Sequence, residues 1–191
     1  WPPRAWTRVY EPFIRRAAGL GIAPTAPDPE TYHHRHAHCE VLIVGAVPAG
    51  IAAALAASAD PGQRVILCDE QAEPGGALLD GGPAQIDGLA TGDWLARSLA
   101  LLAANPRVRV LSRTTAFGYF AHNSVGLVER LTDHLAQLPD GGARERLWQV
   151  RAREVVLAAG AIEQPLVFPG NDRPGVMLAG AAQTYLRRYG V

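Results

Sequence analysis

The chain of 191 residues contains no lysine, and all 18 of its basic residues are arginine. A Schiff-base lysine and the lysine of a Walker-A loop are therefore excluded. Net charge is also absent, since 18 basic side chains balance 18 acidic ones. Nucleic acid and anionic membranes find no basic field to bind. Only two cysteines occur, Cys39 and Cys68, too few for a disulfide framework or a four-thiolate cluster. They fit a reduced, cytoplasmic setting. No apolar run is long: Ile51 to Ala59 already includes Ser58 and falls far short of the ~20 residues of a membrane span. The first residue is Trp1 and the single methionine is Met177, so the chain reads as an internal segment whose targeting signals, if any, lie elsewhere. With 48% apolar and 19% charged residues, it is neither disordered, collagen-like nor a coiled coil.

Two blocks differ in character. Residues 1–37 hold six prolines around one short helical pattern, Glu11 to Ala18. Pro24, Pro27 and Pro29 bar its continuation. This block reads as a connector strapping the next domain. Residues 38–191 read as one α/β domain. Glu40–Val44 is a short β-branched run of the kind found in buried parallel strands. A glycine-containing loop and the alanine-rich helix Ile51–Ala59 follow, then Pro61-Gly62 and a second buried strand, Arg64–Cys68. This is a β-α-β unit of the size expected for a right-handed crossover. A helix is expected over Gly92–Ala104 and a strand over Val108–Leu111. Between Thr114 and Arg151, period-two runs separated by Gly118, Gly126 and Gly141-Gly142 predict an antiparallel meander. Val155–Ala158 reads as a further buried strand. A Pro/Gly-rich loop, Pro165 to Pro174, precedes a helix near Gly180–Arg188. The expected architecture is a Rossmann-like, three-layer α/β domain with a parallel sheet and an antiparallel β-meander.

The loop between the first strand and helix carries the chemistry. In a dinucleotide-binding turn the first glycine makes the bend, the second admits the pyrophosphate to the backbone, and the third lets helix and strand pack closely. The pyrophosphate then faces the positive end of the helix. An acid about 20 residues on accepts the adenosine ribose hydroxyls. Here Gly45 is the first glycine, Gly50 the third, and Glu70 the acid, with Asp69 beside it. The middle position is Val47, whose isopropyl group stands where a phosphate oxygen would approach. Two readings stay open, a working nucleotide site and a nucleotide-type fold that has lost its ligand. An acid at this strand end favours NAD or FAD over NADP.

The segments VLIVGAVPAG and VILCDEQAEPGG look like the first motif of the flavoproteins with two dinucleotide-binding domains. YEPFIRRAAGLG (10–21), HAHCEVLIVGA (36–46), TTAFGYFAHNSVGLVERLTDHL (114–135) and the stretch 155–191 resemble the α subunits of heterotetrameric sarcosine oxidases. Related subunits occur in opine oxidase, hydrogen cyanide synthase and dye-linked proline dehydrogenase. The resemblance implies NAD in this domain, with FAD the alternative in the same groove. It implies that amine oxidation occurs mainly on a partner β subunit of a hetero-oligomeric oxidase. It places Gly45, Ala49 and Gly50 against the pyrophosphate, with Ala46 and Val47 of the same loop also at the cofactor, and Glu70 with Asp69 at the ribose. Gln71 would flank the adenine, Gly75, Gly76 and Ala77 would form a second wall, and Ala116 would offer backbone groups to the adenine. Ala159-Gly160 matches a signature that is usually Ala-Thr-Gly, so one hydroxyl is missing. The family's preceding ferredoxin-like module and following folate-binding domain are not in this sequence.

Other signals are read blandly. His33, His34, His36 and His38 read as a solvated linker, and no metal site is expected. Cys68 reads as an inert core thiol. His122 and Asn123 read as a loop and His134 as a polar helix face. No G-x-S-x-G elbow supports a hydrolase, and no catalytic residue is assigned. Three functions follow: an NAD-binding domain of an amine-oxidising complex, a free-standing FAD-dependent oxidoreductase, or a non-enzymatic remnant.

Overall fold

A computed structural model describes residues 5–19, 21, 25–137, 139 and 142–191. Pro24 and Gly141, expected as breakers, lie outside the described residues. The chain divides into two compact units, Trp1–Glu30 and Thr31–Val191. In the first, a π-helical turn, Trp6–Tyr10, runs into helix α1, Glu11–Ala17. Arg15 pairs with Glu11 one turn back.

The second unit is built on a six-stranded sheet. Its strands are β1 (Tyr32–Val44), β2 (Val65–Cys68), β5 (Val108–Leu111), β6 (Thr114–Phe120), β7 (Ser124–Arg130) and β8 (Glu145–Leu157), in the spatial order β5-β2-β1-β8-β7-β6. The pairs β5–β2, β2–β1 and β1–β8 are parallel; β8–β7 and β7–β6 are antiparallel. Helices α2 (Pro48–Ser58) and α3 (Thr91–Ala104) complete the crossovers. A small hairpin, β3 (Gln85–Ile86) and β4 (Leu89–Ala90), precedes α3, and α4 (Ala179–Arg187) closes the chain. Among the described residues no helix is long and apolar enough to cross a membrane.

Apolar residues on the two sheet faces make two cores. On one face Ile43, Val65 and Leu67 pack against Ile51 and Ala54 of α2 and Trp94, Leu95 and Leu102 of α3. On the other, Leu42, Ile66, Cys68 and Leu111 pack against Val125, Leu127, Trp148 and Val150 of the meander. The layers are thus helices, parallel sheet and meander, as expected.

Several local expectations are corrected. The run His33–His38 is not a linker: it is the first half of β1, paired with Arg146–Arg151 of β8. Likewise Leu147–Gln149 and Val155–Leu157 belong to one continuous strand. The inward phase of both long strands slips by one residue at the same level. Cys39 and Ala152 face the meander core, but so do Leu42 and Val155. With a strict period of two, the inward residues after Cys39 and Ala152 would fall at 41 and 154. The joint slip lets one strand pair serve both layers.

Gly118 and Gly126 lie inside β6 and β7, not in turns. A Cβ on Gly126 would meet the Phe117 ring at 2.5 Å, and one on Gly118 the Phe120 ring at 2.6 Å. The rings cover the bare backbone, a known way of supporting strand glycines. The actual turn holds His122 and Asn123 at φ 60° and 51°. His134 lies in a stretch of turns and bends, not on a helix.

Candidate functional site

The junction of β1 and α2 is fixed by two glycines. Gly45 sits at φ +103°, and a Cβ there would lie 2.1 Å from the Ala158 carbonyl oxygen at the end of β8. A Cβ on Gly50 would lie 1.8 Å from the Gly45 carbonyl oxygen. Strand, loop and helix therefore touch backbone to backbone, as the first and third glycines of the turn require. Val47 is the residue before the helix, at φ −78° and ψ 174°. That is ordinary extended backbone, so the middle position needs no glycine for conformational reasons. Pro48 follows at the first helical position, where its missing N–H is no loss. Ala49 and Gly50 keep first-turn N–H groups with no partner inside the helix.

The acids beside the loop do different work. Asp69 is buried, and both its oxygens are held by backbone: Ala46 N–H donates to Oδ2 (2.6 Å) and Gln71 N–H to Oδ1 (2.8 Å). Ala46 is anchored again through its carbonyl, which accepts from Gly75 N–H (2.8 Å). Asp69 thus ties the glycine loop to the end of β2. A carboxylate has about four lone-pair sites, so it can still accept a hydroxyl. Glu70 is exposed, and its carboxylate has no partner among the described residues.

These groups line a groove of about 310 Å³ at the carboxyl ends of β1 and β2. Of the residues anticipated from sequence, it gathers Gly45, Val47, Asp69, Glu70, Gln71 and Gly76, with Ala116 on β6 and Ala159 after β8. Ala46 and Gly50 lie beneath the surface as scaffold. Ala49 is exposed at the start of α2. Gly160, at φ +76°, lies just beyond Ala159. Ala77 is displaced: it lines a neighbouring groove of about 600 Å³ with Asp80, Thr184 and Arg188, because residues 76–80 coil into a 3-10 turn. Thr115, Cys68 and Ile162 also line the first groove and were not anticipated there. Thr115 directly precedes Ala116, and that adjacency was the available signal.

The Cys68 thiol is pushed up to about 12 by burial, with the charge of Asp69 adding to it. Burial, aided by Glu40, raises Cys39 to about 11. Neither is a thiolate near neutrality, which leaves both inert as nucleophiles. Among the described residues no cluster of His, Cys, Asp or Glu could hold a metal ion.

The geometry separates the two acids experimentally. Asp69→Asn turns one acceptor into an NH₂ facing a buried N–H, which leaves donors unpaired at a cost of about 1–3 kcal/mol. Glu70→Gln is a surface change, expected within about 0.5 kcal/mol of the parent. Melting curves should show a clear loss for the first and none for the second. An Asp69→Asn chain as stable as the parent would show that the loop does not depend on this carboxylate.

The sequence profile of the FAD dependent oxidoreductase family matches residues 40–162. The chain belongs to that family. The matched span holds the strand–loop–helix, the acids, the meander and the end of β8, the elements that build this groove. The α chain of sarcosine oxidase from Rhizobium meliloti (strain 1021) is 51% identical over 191 residues, covering 100% of this chain and 19% of that protein. That of Corynebacterium sp. (strain P-1) is 50% identical over 174 residues, 91% of this chain and 18% of the other. An opine oxidase subunit of Agrobacterium tumefaciens (strain Ach5) is 36% identical over 155 residues, 79% of this chain and 29% of the other. The chain thus spans about a fifth of the length of its sarcosine oxidase relatives. Among solved structures, L-proline dehydrogenase from P. horikoshii superposes with a TM-score of 0.65 at 24% identity, covering 87% of this chain and 31% of that one. That likeness establishes the shared α/β fold. The resemblance drawn from the sequence segments holds, and the chain is a domain of the FAD dependent oxidoreductase family with a Rossmann-like sheet.

Proposed function

We propose that this chain is the dinucleotide-binding domain of an amine-oxidising oxidoreductase, and that its groove holds the ADP half of the cofactor. The observation that carries this is the backbone-to-backbone junction of Gly45, Gly50 and Ala158 beside the anchored carboxylate of Asp69. Val47 is the side chain that reaches the glycine walls at Gly76 and Gly160. Asp69 and Glu70 would accept the ribose hydroxyls, and Gln71 and Ala116 would flank the adenine. The Ala49 and Gly50 N–H groups at the start of α2 would face the pyrophosphate.

The family match favours FAD as the occupant. NAD, implied by the sequence resemblance, shares the same ADP half, so the groove's chemistry serves either. When bound, such a cofactor supplies the electron acceptor for oxidation of the substrate. The chain's own residues bind and orient it. The names of the relatives support an amine or opine substrate, acted on with other subunits. The exposed apolar side chains of Ile162, Leu166 and Val167, 90%, 79% and 97% accessible, support a docking face for such a partner or for further polypeptide.

Calorimetric titration of the purified chain with ADP, FAD and NAD tests the reading. Saturable binding of ADP that competes with one dinucleotide is expected, and a yellow, stoichiometric complex would identify FAD. Folded protein that binds none of the three would leave the non-enzymatic remnant as the better reading.

A further inference from the structure

A second constellation lies on the meander side of the sheet, on β1, β5 and β8. Arg35, His36, Arg109, Leu111, Arg146 and Trp148 line a groove of about 540 Å³ there. It shares no residue with the cofactor groove. Trp148 is buried, and its indole N–H donates to Glu129 Oε2 at 2.7 Å. The ring is thereby fixed. Arg109 and Arg146 carry their guanidinium carbons 5.4 and 5.6 Å from its centroid. A guanidinium stacked on an aromatic ring keeps its in-plane N–H groups free to point away from it.

The charges around this ring do not balance. Three arginines line the groove, and the carboxylate bonded to one of them and to the ring is Glu129. Its Oε2 is already shared between Trp148 and Arg146 Nη1, the latter at 3.0 Å. The Arg146 Nε–H is buried and has no acceptor among the described residues. Arg35 and Arg109 have no hydrogen-bond or ion-pair partner there either. A buried donor without a partner is uncommon in folded chains, and planar forks of this kind match the oxygens of phosphate and carboxylate.

We infer that this cleft is an oxyanion-binding site, in which Arg35 and Arg109 grip a phosphate or carboxylate group and Trp148 holds the Arg109 guanidinium in place. Because the cleft and the cofactor groove have no lining residue in common, it is suited to a second ligand, held independently of the cofactor.

The test uses the full chain and three variants, Arg109→Gln, Arg35→Gln and Trp148→Phe, each checked for an unchanged melting profile. Inorganic phosphate and glutarate are the probes, at fixed ionic strength. The readouts are calorimetry and tryptophan emission. Saturable binding is expected in the parent, with emission changes that vanish in Trp148→Phe. Affinity should fall about tenfold or more in Arg109→Gln, the loss expected when one charge-assisted contact worth roughly 1.4 kcal/mol goes. If phosphate alone binds, the ligand is phosphorylated; if glutarate competes, it is a carboxylate. Glu70→Gln, which lies in the cofactor groove, should leave both affinities unchanged. Absence of saturable binding in the parent would overturn the inference. So would binding that neither arginine variant weakens. Should Trp148→Phe fail to fold, the two exposed-arginine variants decide the matter alone.

Discussion

Replacing Gly45 by alanine is expected to destabilise the chain by about 2–6 kcal/mol. The figure joins roughly 1–3 kcal/mol for a side chain forced into a sparsely populated backbone region to about 1–3 kcal/mol for overpacking. Both apply at this residue. Its φ is +103°, and the new Cβ would stand 2.1 Å from a carbonyl oxygen and 2.6 Å from its carbon, both backbone atoms of Ala158. A flexible side chain could move aside, but the end of β8 is held by the bond from Ala158 N–H to the Val44 carbonyl (2.8 Å). Two companion variants separate the causes. Gly50→Ala adds only contact, its Cβ falling 1.8 Å from the Gly45 oxygen without a positive φ. Gly81→Ala adds only strain, at φ +68° with nothing within 4 Å. Denaturant unfolding should rank Gly45→Ala and Gly50→Ala well above Gly81→Ala. Domains retain only about 5–15 kcal/mol in all, so the first variant should accumulate poorly as folded protein on warming. A Gly45→Ala loss no larger than that of Gly81→Ala would mean that β8 yields, and that the tight junction is not what sets the groove.

The β-α-β unit and its acids were legible because their signals are local. Apolar β-branched runs, a glycine loop and an alanine-rich segment follow one another within a single stretch of chain, and each alone selects its element. What was illegible depends on distant partners. His33–His38 has no apolar alternation, yet it is strand because β8, more than a hundred residues later, pairs with it along its length. The coordinated slip at Cys39–Leu42 and Ala152–Val155 hides the period-two pattern on which strand reading rests. Gly118 and Gly126 look like turn residues until Phe117 and Phe120 are seen to cover them. The Asp87-Gly88 pair between Ile86 and Leu89 is a readable hairpin signal. Both residues take positive φ there, 49° and 74°. In the site, the sequence could place two acids side by side but could not assign them. Only the bonds from Ala46 and Gln71 show that Asp69 is committed to the loop and Glu70 is not.

Val47→Gly is expected to tighten binding of ADP by tenfold or more, while leaving adenosine unchanged. The valine backbone is unstrained, so its cost lies wholly in the side chain. Val47 Cγ1 stands 2.8 Å from where a Cβ on Gly76 would be, and 3.7 Å from where one on Gly160 would be. One methyl group therefore stands between the two glycine walls, on the residue just before α2. Opening that passage lets a phosphate reach the helix start, and each tenfold gain in affinity corresponds to about 1.4 kcal/mol. An interaction of one or two such N–H donors with a charged oxygen is of that size. Glycine is tolerated at the residue before a helix, so stability should fall only by the lost contacts of one half-buried side chain. Adenosine lacks the pyrophosphate and serves as the internal control. Val47→Ala should fall between, because it keeps Cβ and loses the methyl groups. If ADP and adenosine respond alike, the effect is general loosening and not a cleared phosphate path. If the parent already binds ADP as tightly as the variant, the isopropyl group turns aside at no cost, and the departure from the glycine pattern is neutral.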